Sequence, residues 1–215
     1  MDAHSRRIVG IDWGTTHRRA YLLDGAGTLL AVQHDDQGML AAHGNFPDAL
    51  AALLAPWHAM LAGVEATVIM AGMVGSAQGW REVPYLTGVL PTGADLFRLG
   101  AASYIVPGCL WRGPDGAPDV MRGEETQLLG AALLGHGDGW YVMPGTHSKW
   151  ARVAGGRIDS LRTYMTGELF ALVGQQGTLA TLMREDGANP AAFASGVHAA
   201  RDGWWCRQNE RYSYW

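Results

Sequence analysis

Asp12 ends a short apolar run, Ile8-Val9-Gly10-Ile11, and leads directly into Trp13-Gly14-Thr15-Thr16. A Gly-Thr-Thr turn can aim consecutive backbone N–H groups and two hydroxyls at one point, which makes a phosphate cradle without a helix N-terminus. Gly14 allows close approach, and Asp12 can hold a hydrated Mg²⁺ through one carboxylate, as magnesium in nucleotide sites commonly requires. A second turn of this kind, Pro144-Gly145-Thr146-His147-Ser148, is followed by Lys149, the only lysine in the sequence. Together the loops favour a nucleotide's phosphates clamped between Gly14, Thr15 and Thr16 on one side and Gly145, Thr146, His147, Ser148 and Lys149 on the other. No G-x-x-x-x-G-K-[ST] loop occurs, and no G-x-G-x-x-G lies between a strand and a helix, so the P-loop and dinucleotide-binding readings fail.

Glu124 and Glu125 stand in the first turn of an expected helix, where acids commonly do no more than complement the helix dipole. The functional alternative is that one of them accepts the proton of a hydroxyl attacking a γ-phosphate, and the sequence does not choose between the two. A third polar cluster, Ser76-Ala77-Gln78-Gly79-Trp80-Arg81-Glu82, follows a buried-strand run. Ser76, Gln78, Trp80 and Arg81 form a candidate substrate loop there. Arg81 is the leading partner for a carboxylate, and Trp80 offers a flat wall for a sugar carbon chain. Arg122 and Arg162 are the alternative carboxylate partners.

These groups need a sheet to carry them. Arg7–Asp12, Ala20–Leu23 and Leu29–Gln33 read as an antiparallel meander, with Asp24-Gly25-Ala26-Gly27 as one turn. Leu50, Leu53, Leu54, Trp57 and Leu61 recur at helical spacing, and Pro56 should kink or break that helix. Thr67–Ala71 is a buried strand whose carboxyl end opens into Gly72–Ser76, where open α/β sheets bind ligands. A Pro/Gly-rich passage follows, and the next helix runs from Arg122-Gly123-Glu124-Glu125 through Leu134. Trp140–Met143 and Trp150–Val153 then repeat the strand-loop-strand of the N-terminus, with Gly145-Thr146 in the place of Gly14-Thr15. A duplicated α/β architecture follows, with a first domain at 1–137 and a second at 138–215.

Composition excludes other classes. With 48% hydrophobic and 17% charged residues, the chain has the apolar surface to form a core. Its formal net charge is −4, and no segment concentrates arginine as a nucleic-acid footprint would. No run reaches the roughly 18 apolar residues of a membrane helix. The two cysteines form neither a disulfide framework nor a metal cluster. The expectation is a cytoplasmic enzyme acting on small molecules without nucleic acid or membrane, its oligomeric state left open.

Asp12-Trp13-Gly14-Thr15-Thr16 resembles the first phosphate motif of the actin/Hsp70/hexokinase superfamily, an actin-like ATPase (ribonuclease H-like) fold. Four blocks resemble the 2-dehydro-3-deoxygalactonokinase family more closely: Met70–Ser76, Asp119–Gln127, Pro144–Trp150 and Met165–Phe170. The resemblance runs from about Ile8 to about Val197. It implies ATP and Mg²⁺ as cofactors, a sugar acid as partner, and phosphorylation of the 6-hydroxyl of 2-dehydro-3-deoxy-D-galactonate in galactonate catabolism. A sugar-acid kinase of different specificity, or a remnant that binds without turnover, are the alternatives. By the same resemblance Glu124 falls near the family's catalytic acid, with Glu125 still open. The second domain is expected to be cut short, because Trp215 corresponds to a point just past the first domain's substrate loop. The Trp- and Tyr-rich tail 203–215 departs from the preceding Ala/Gly-rich composition, as a frameshifted or truncated gene would give. On that expectation the 215-residue chain has little kinase activity and tends to self-associate.

Overall fold

The computed structural model describes residues 6–176, 180 and 189–201. The chain divides into two compact units, Met1–Glu168 and Leu169–Trp215. The domain boundary expected at 137 falls inside the first unit, and the atypical tail 203–215 lies outside the described residues.

β1 (Arg6–Trp13), β2 (Arg18–Asp24) and β3 (Leu29–Asp35) form the antiparallel meander. Alternation along β1 buries Val9, Ile11 and Trp13 on one face and leaves Asp12 on the other. The covering helix breaks at Pro56 as expected: α1 (Phe46–Leu54) gives way to a tight turn, Ala55–Trp57, and then to α2 (His58–Leu61). Phe46, Leu53 and Trp57 from this segment pack with Trp13, Leu22 and Met70 in one core, each large apolar side chain contributing about 1.5–3 kcal/mol by leaving water. Arg18 ties the meander to α1. Its Nε and Nη2 donate to the two carboxylate oxygens of Asp35, each at 2.8 Å, and its Nη1 donates to the Ala49 carbonyl at 2.7 Å.

β4 (Glu65–Gly72) pairs parallel with β1, so that Asp12 lies beside Ala71 and Trp13 beside Gly72. The passage after it, read from sequence as Pro/Gly-rich connection, contains five short strands. They are β5 (Leu86–Thr87), β6 (Phe97–Arg98), β7 (Ser103–Ile105), β8 (Cys109–Arg112) and β9 (Pro118–Met121). Runs of two to four residues are too short for alternation to register. β7 and β6 complete a six-stranded mixed sheet of order β3-β2-β1-β4-β7-β6, while β5, β8 and β9 form a second sheet. An antiparallel three-strand meander continued by parallel strands beside β1 is the ribonuclease H-like α/β arrangement.

α3 (Glu124–Leu133) follows, and then β10 (Gly139–Met143), β11 (Ser148–Ala154) and β12 (Arg157–Tyr164) make a third, antiparallel sheet that repeats the opening meander. Leu128 of α3 packs with Met121, Met143, Ala151, Val153, Ile158 and Leu161, which seats the start of α3 against the second sheet and the β10–β12 meander. α4 (Thr166–Gln175) begins in the first unit, and α5 (Pro190–Arg201) belongs to the second. Phe170 on α4 and Phe193 on α5 are exposed. Among the described residues no helix is long and apolar enough to cross a membrane.

Candidate active site

Two glycines bring the ends of β1, β4 and α3 together. Gly72 at φ 92° and Gly123 at φ 113° occupy left-handed backbone that other residues rarely adopt. A Cβ on Gly123 would lie 3.3 Å from the Gly72 Cα, and one on Gly72 would lie 2.7 Å from the Trp13 carbonyl oxygen and 3.5 Å from Asp12 Oδ1. With no side chain between them, these three ends open on a single cavity of about 640 Å³. Asp12, Gly14, Thr15, Thr16, Glu124, Gly145, Thr146, His147 and Lys149 all line it.

The first loop is fixed from behind. The carbonyls of Gly14, Thr15 and Thr16 accept from the amides of Met39, Leu40 and Gly38 at 2.9, 3.1 and 2.9 Å. Gly38 is required there, since a Cβ would meet the Thr15 carbonyl oxygen at 2.5 Å. The second loop is braced by the first turn of α4. The Glu168 amide donates to the Thr146 carbonyl at 3.0 Å, the Glu168 carboxylate pairs with His147, and the Ser148 and Thr166 hydroxyls are bonded to each other. Ser148 is buried and does not line the cavity, unlike its loop neighbours Gly145, Thr146 and His147. Lys149 is also buried, although it lines the cavity, and its Nζ donates to the Val120 carbonyl at 2.8 Å and to Thr163 Oγ1 at 3.0 Å.

Helical geometry separates the two glutamates, because consecutive side chains project about 100° apart. Glu124 faces the cavity and accepts from the Arg122 amide at 3.0 Å. Burial raises its carboxyl above the ordinary value, with neighbouring Asp12 adding to the rise and Lys149 opposing it. Glu125 turns into the core, is fully buried, and accepts from the Gly123 amide through both oxygens at 2.8 and 2.7 Å. Burial pushes it up to about 8. Burial, and secondarily the charge of Glu125, push the Cys109 thiol up to about 12.

Asp12 is raised by burial, and Arg19, 3.9 Å away across the β1–β2 pair, partly offsets this. An incompletely compensated carboxylate beside a Gly-Thr-Thr loop suits Mg²⁺, which takes one or two protein carboxylates together with phosphate and water oxygens. Among the described residues no three-acid or His/Cys cluster competes for a metal.

The Ser76–Glu82 segment lies elsewhere. Ser76 donates to the Met73 carbonyl at 2.7 Å, Trp80 stacks on Phe46 with ring centroids 6.0 Å apart, and the Arg81 guanidinium lies 5.9 Å from the Phe97 ring. None of Ser76, Gln78, Trp80 and Arg81 lines the cavity, and neither does Arg162, which lies over Trp111. The lining includes Arg122, one of the two alternative carboxylate partners named from sequence, and also Arg19, Tyr85 and Gln127, which the sequence did not bring to this site.

Similarity to known proteins extends over nearly the whole chain. A Rhizobium meliloti protein named as a 2-dehydro-3-deoxygalactonokinase is 37% identical over 89% of this chain and 65% of its own length. An Escherichia coli 2-dehydro-3-deoxygalactonokinase is 38% identical over 89% of this chain and 64% of its own. The chain thus spans just under two thirds of the length of these relatives. A crystal structure from Sinorhizobium meliloti that carries the same enzyme name superposes with a TM-score of 0.80 at 34% identity, covering 94% of this chain and 68% of that one. The 2-keto-3-deoxy-galactonokinase family model matches residues 12–208, from the Asp12 carboxylate through both phosphate-type loops, and the chain belongs to that family.

Proposed function

We propose that the cavity carries out ATP-dependent phosphorylation of a sugar-acid hydroxyl, the 6-hydroxyl of 2-dehydro-3-deoxy-D-galactonate being the acceptor. The observation that carries this reading is the convergence of Asp12, two Gly-Thr loops and the Glu124 carboxylate on one wall-to-wall site. Both named relatives are called 2-dehydro-3-deoxygalactonokinases, which supports the substrate class of this reading.

In this reading Gly14–Thr16 and Gly145–His147 hold the phosphate chain by backbone amides and hydroxyls, and Lys149 adds one fixed positive charge. Asp12 would hold Mg²⁺, which when bound supplies charge neutralisation on the phosphate oxygens. Glu124 takes the proton of the acceptor hydroxyl as that oxygen bonds to the γ-phosphorus. The bond from the γ-phosphorus to the bridging oxygen breaks, and its electron pair leaves with ADP. A carboxyl raised by burial is the stronger proton acceptor, provided it is ionised at working pH, and Lys149 favours that ionised form. Positioning and charge stabilisation supply most of the rate in such transfers.

The test is to incubate the protein with Mg²⁺-ATP and 2-dehydro-3-deoxy-D-galactonate and follow ADP together with the mass of the acid. One ADP per acid gaining a phosphoryl group supports the reading. ADP release no faster than in a control lacking the acid contradicts it.

A further inference from the structure

Among the described residues Arg18 and Lys149 are the buried cations, and their charges are met differently. Arg18 is paired directly with the Asp35 carboxylate. Lys149, the only lysine in the sequence, donates to two neutral oxygens, the Val120 carbonyl at 2.8 Å and Thr163 Oγ1 at 3.0 Å. Burying an ammonium against neutral acceptors costs more than such hydrogen bonds return, and an apolar side chain of that length would pack there at less cost. A carboxylate stands one hydroxyl away. Thr163 Oγ1 donates to Asp119 Oδ1 at 2.5 Å, and the same oxygen accepts from the Val120 amide at 2.8 Å. A carboxylate only accepts, so the Thr163 proton points to Asp119 and its lone pairs are left for Lys149. The place of the ammonium is thus set by a chain of two side chains.

We propose that Thr163 and Asp119 are positioning residues for phosphoryl transfer: they lock the Lys149 ammonium, and the second phosphate loop just before it, in register with the turn that carries Glu124. The assignment rests on the kinase reading above. Three strands meet in the lock. Lys149 on β11 stands directly opposite Thr163 on β12, while Asp119 and Val120 lie on β9, which ends at Met121 immediately before Arg122–Glu124. Lys149 itself follows the loop Gly145–Ser148, so one ammonium joins the loop assigned to phosphate to the strand that leads to the base. Lys149 and Glu124 line the same cavity, and the Lys149 charge opposes the rise that burial imposes on the Glu124 carboxyl. Such opposition weakens with distance, so its strength depends on where the ammonium is held. Thr163 and Asp119 do not line the cavity, and each therefore acts through Lys149.

A double-mutant cycle in single-turnover transfer from Mg²⁺-ATP to 2-dehydro-3-deoxy-D-galactonate tests this. Thr163→Val keeps the shape and removes the hydroxyl, and should slow transfer by about 10- to 100-fold, the scale of a small misplacement near the reacting groups. Thr163→Ser, which restores the hydroxyl, should stay within about threefold of wild type. Lys149→Met should be at least as slow as Thr163→Val, and adding Thr163→Val to it should cost no more than about a further twofold, because the two residues act as one. An equal loss from Thr163→Val in both backgrounds would mean that Thr163 serves the fold alone and overturns the proposal, as does wild-type transfer in either single variant. Because the chain has one lysine, lysine labelled with ¹⁵N at Nζ gives a single side-chain ammonium signal that reads the lock without turnover. Its hydrogens should exchange with water about fivefold more slowly in wild type and Thr163→Ser than in Thr163→Val, the scale of one neutral hydrogen bond. The same exchange rate in all three proteins also overturns the proposal. If Thr163→Val does not fold by circular dichroism, Asp119→Ala takes its place in both measurements with the same outcomes. A failed cycle in an active protein removes the positioning role alone, whereas a wild-type protein that transfers no phosphoryl group removes the kinase reading and this role with it.

Discussion

Glu125 offers a prediction that does not depend on the substrate. Its folded value of about 8 lies well above the ordinary 4.5, because burial disfavours the charged form more than the Gly123 amide favours it. The folded state therefore holds this proton more tightly than the unfolded chain does. The associated stabilisation is complete below pH 4.5 and is lost as pH rises through about 8. Each pH unit inside that window weakens folding by about 1.4 kcal/mol, so the wild type should lose about 3–4 kcal/mol between about pH 5 and pH 8 from this group. Glu125→Gln keeps an oxygen that can accept from the Gly123 amide but cannot ionise. Urea unfolding of both proteins at half-unit pH steps gives the difference curve, in which Asp12 and Glu124 cancel because both proteins retain them. The variant should be within about 1 kcal/mol of wild type at the acid end, the scale of one neutral hydrogen bond. At the alkaline end it should be more stable, with a urea midpoint higher by about 1–2 M. Parallel stability curves for the two proteins across this range would refute the reasoning.

Gly72→Ala forces a side chain into left-handed backbone and against the Trp13 carbonyl, and should cost at least about 2 kcal/mol in urea unfolding; a smaller loss would mean that the β1, β4 and α3 ends can separate freely. Cys109, fully buried with its thiol raised to about 12, should resist thiol reagents at mildly alkaline pH in the folded protein and react in urea, as followed by peptide mass mapping; rapid labelling of the native form would contradict its placement. Asp12→Asn should lower phosphoryl transfer at least ~100-fold while leaving thermal unfolding close to wild type, and wild-type turnover in that variant would remove Asp12 from the reaction.

The parts of the site that were legible in sequence are those where chemistry and local structure share a short segment. Asp12 through Thr16 declares itself because an acid, a glycine and two hydroxyls follow an apolar run, and the β10–β11 turn repeats the glycine and hydroxyls without the acid. Pro56 marks the helix break by removing an amide. Arg122 was named as an alternative carboxylate partner, but its place beside Tyr85 was not legible, since the two residues come from separate segments that only the second sheet brings to one cavity. Trp80 and Arg81 drew attention for their types, yet Trp80 stacks on Phe46 and Arg81 on Phe97, contacts that depend on the fold around them. Glu124 and Glu125 are equivalent as letters, and they become distinct once Leu128 seats α3 on the core and so fixes which way each residue of the first turn projects.

That separation is also where the proposed chemistry is most exposed to test. Single-turnover transfer from Mg²⁺-ATP to 2-dehydro-3-deoxy-D-galactonate should be measured in the wild type, Glu124→Gln and Glu125→Gln at one neutral pH. Loss of the base predicts a fall of at least ~100-fold in Glu124→Gln, whereas Glu125→Gln, which leaves the cavity wall intact, should stay within about tenfold of wild type. The reverse order, or equal transfer in all three proteins, would contradict the assignment of Glu124 as the group that takes the hydroxyl proton.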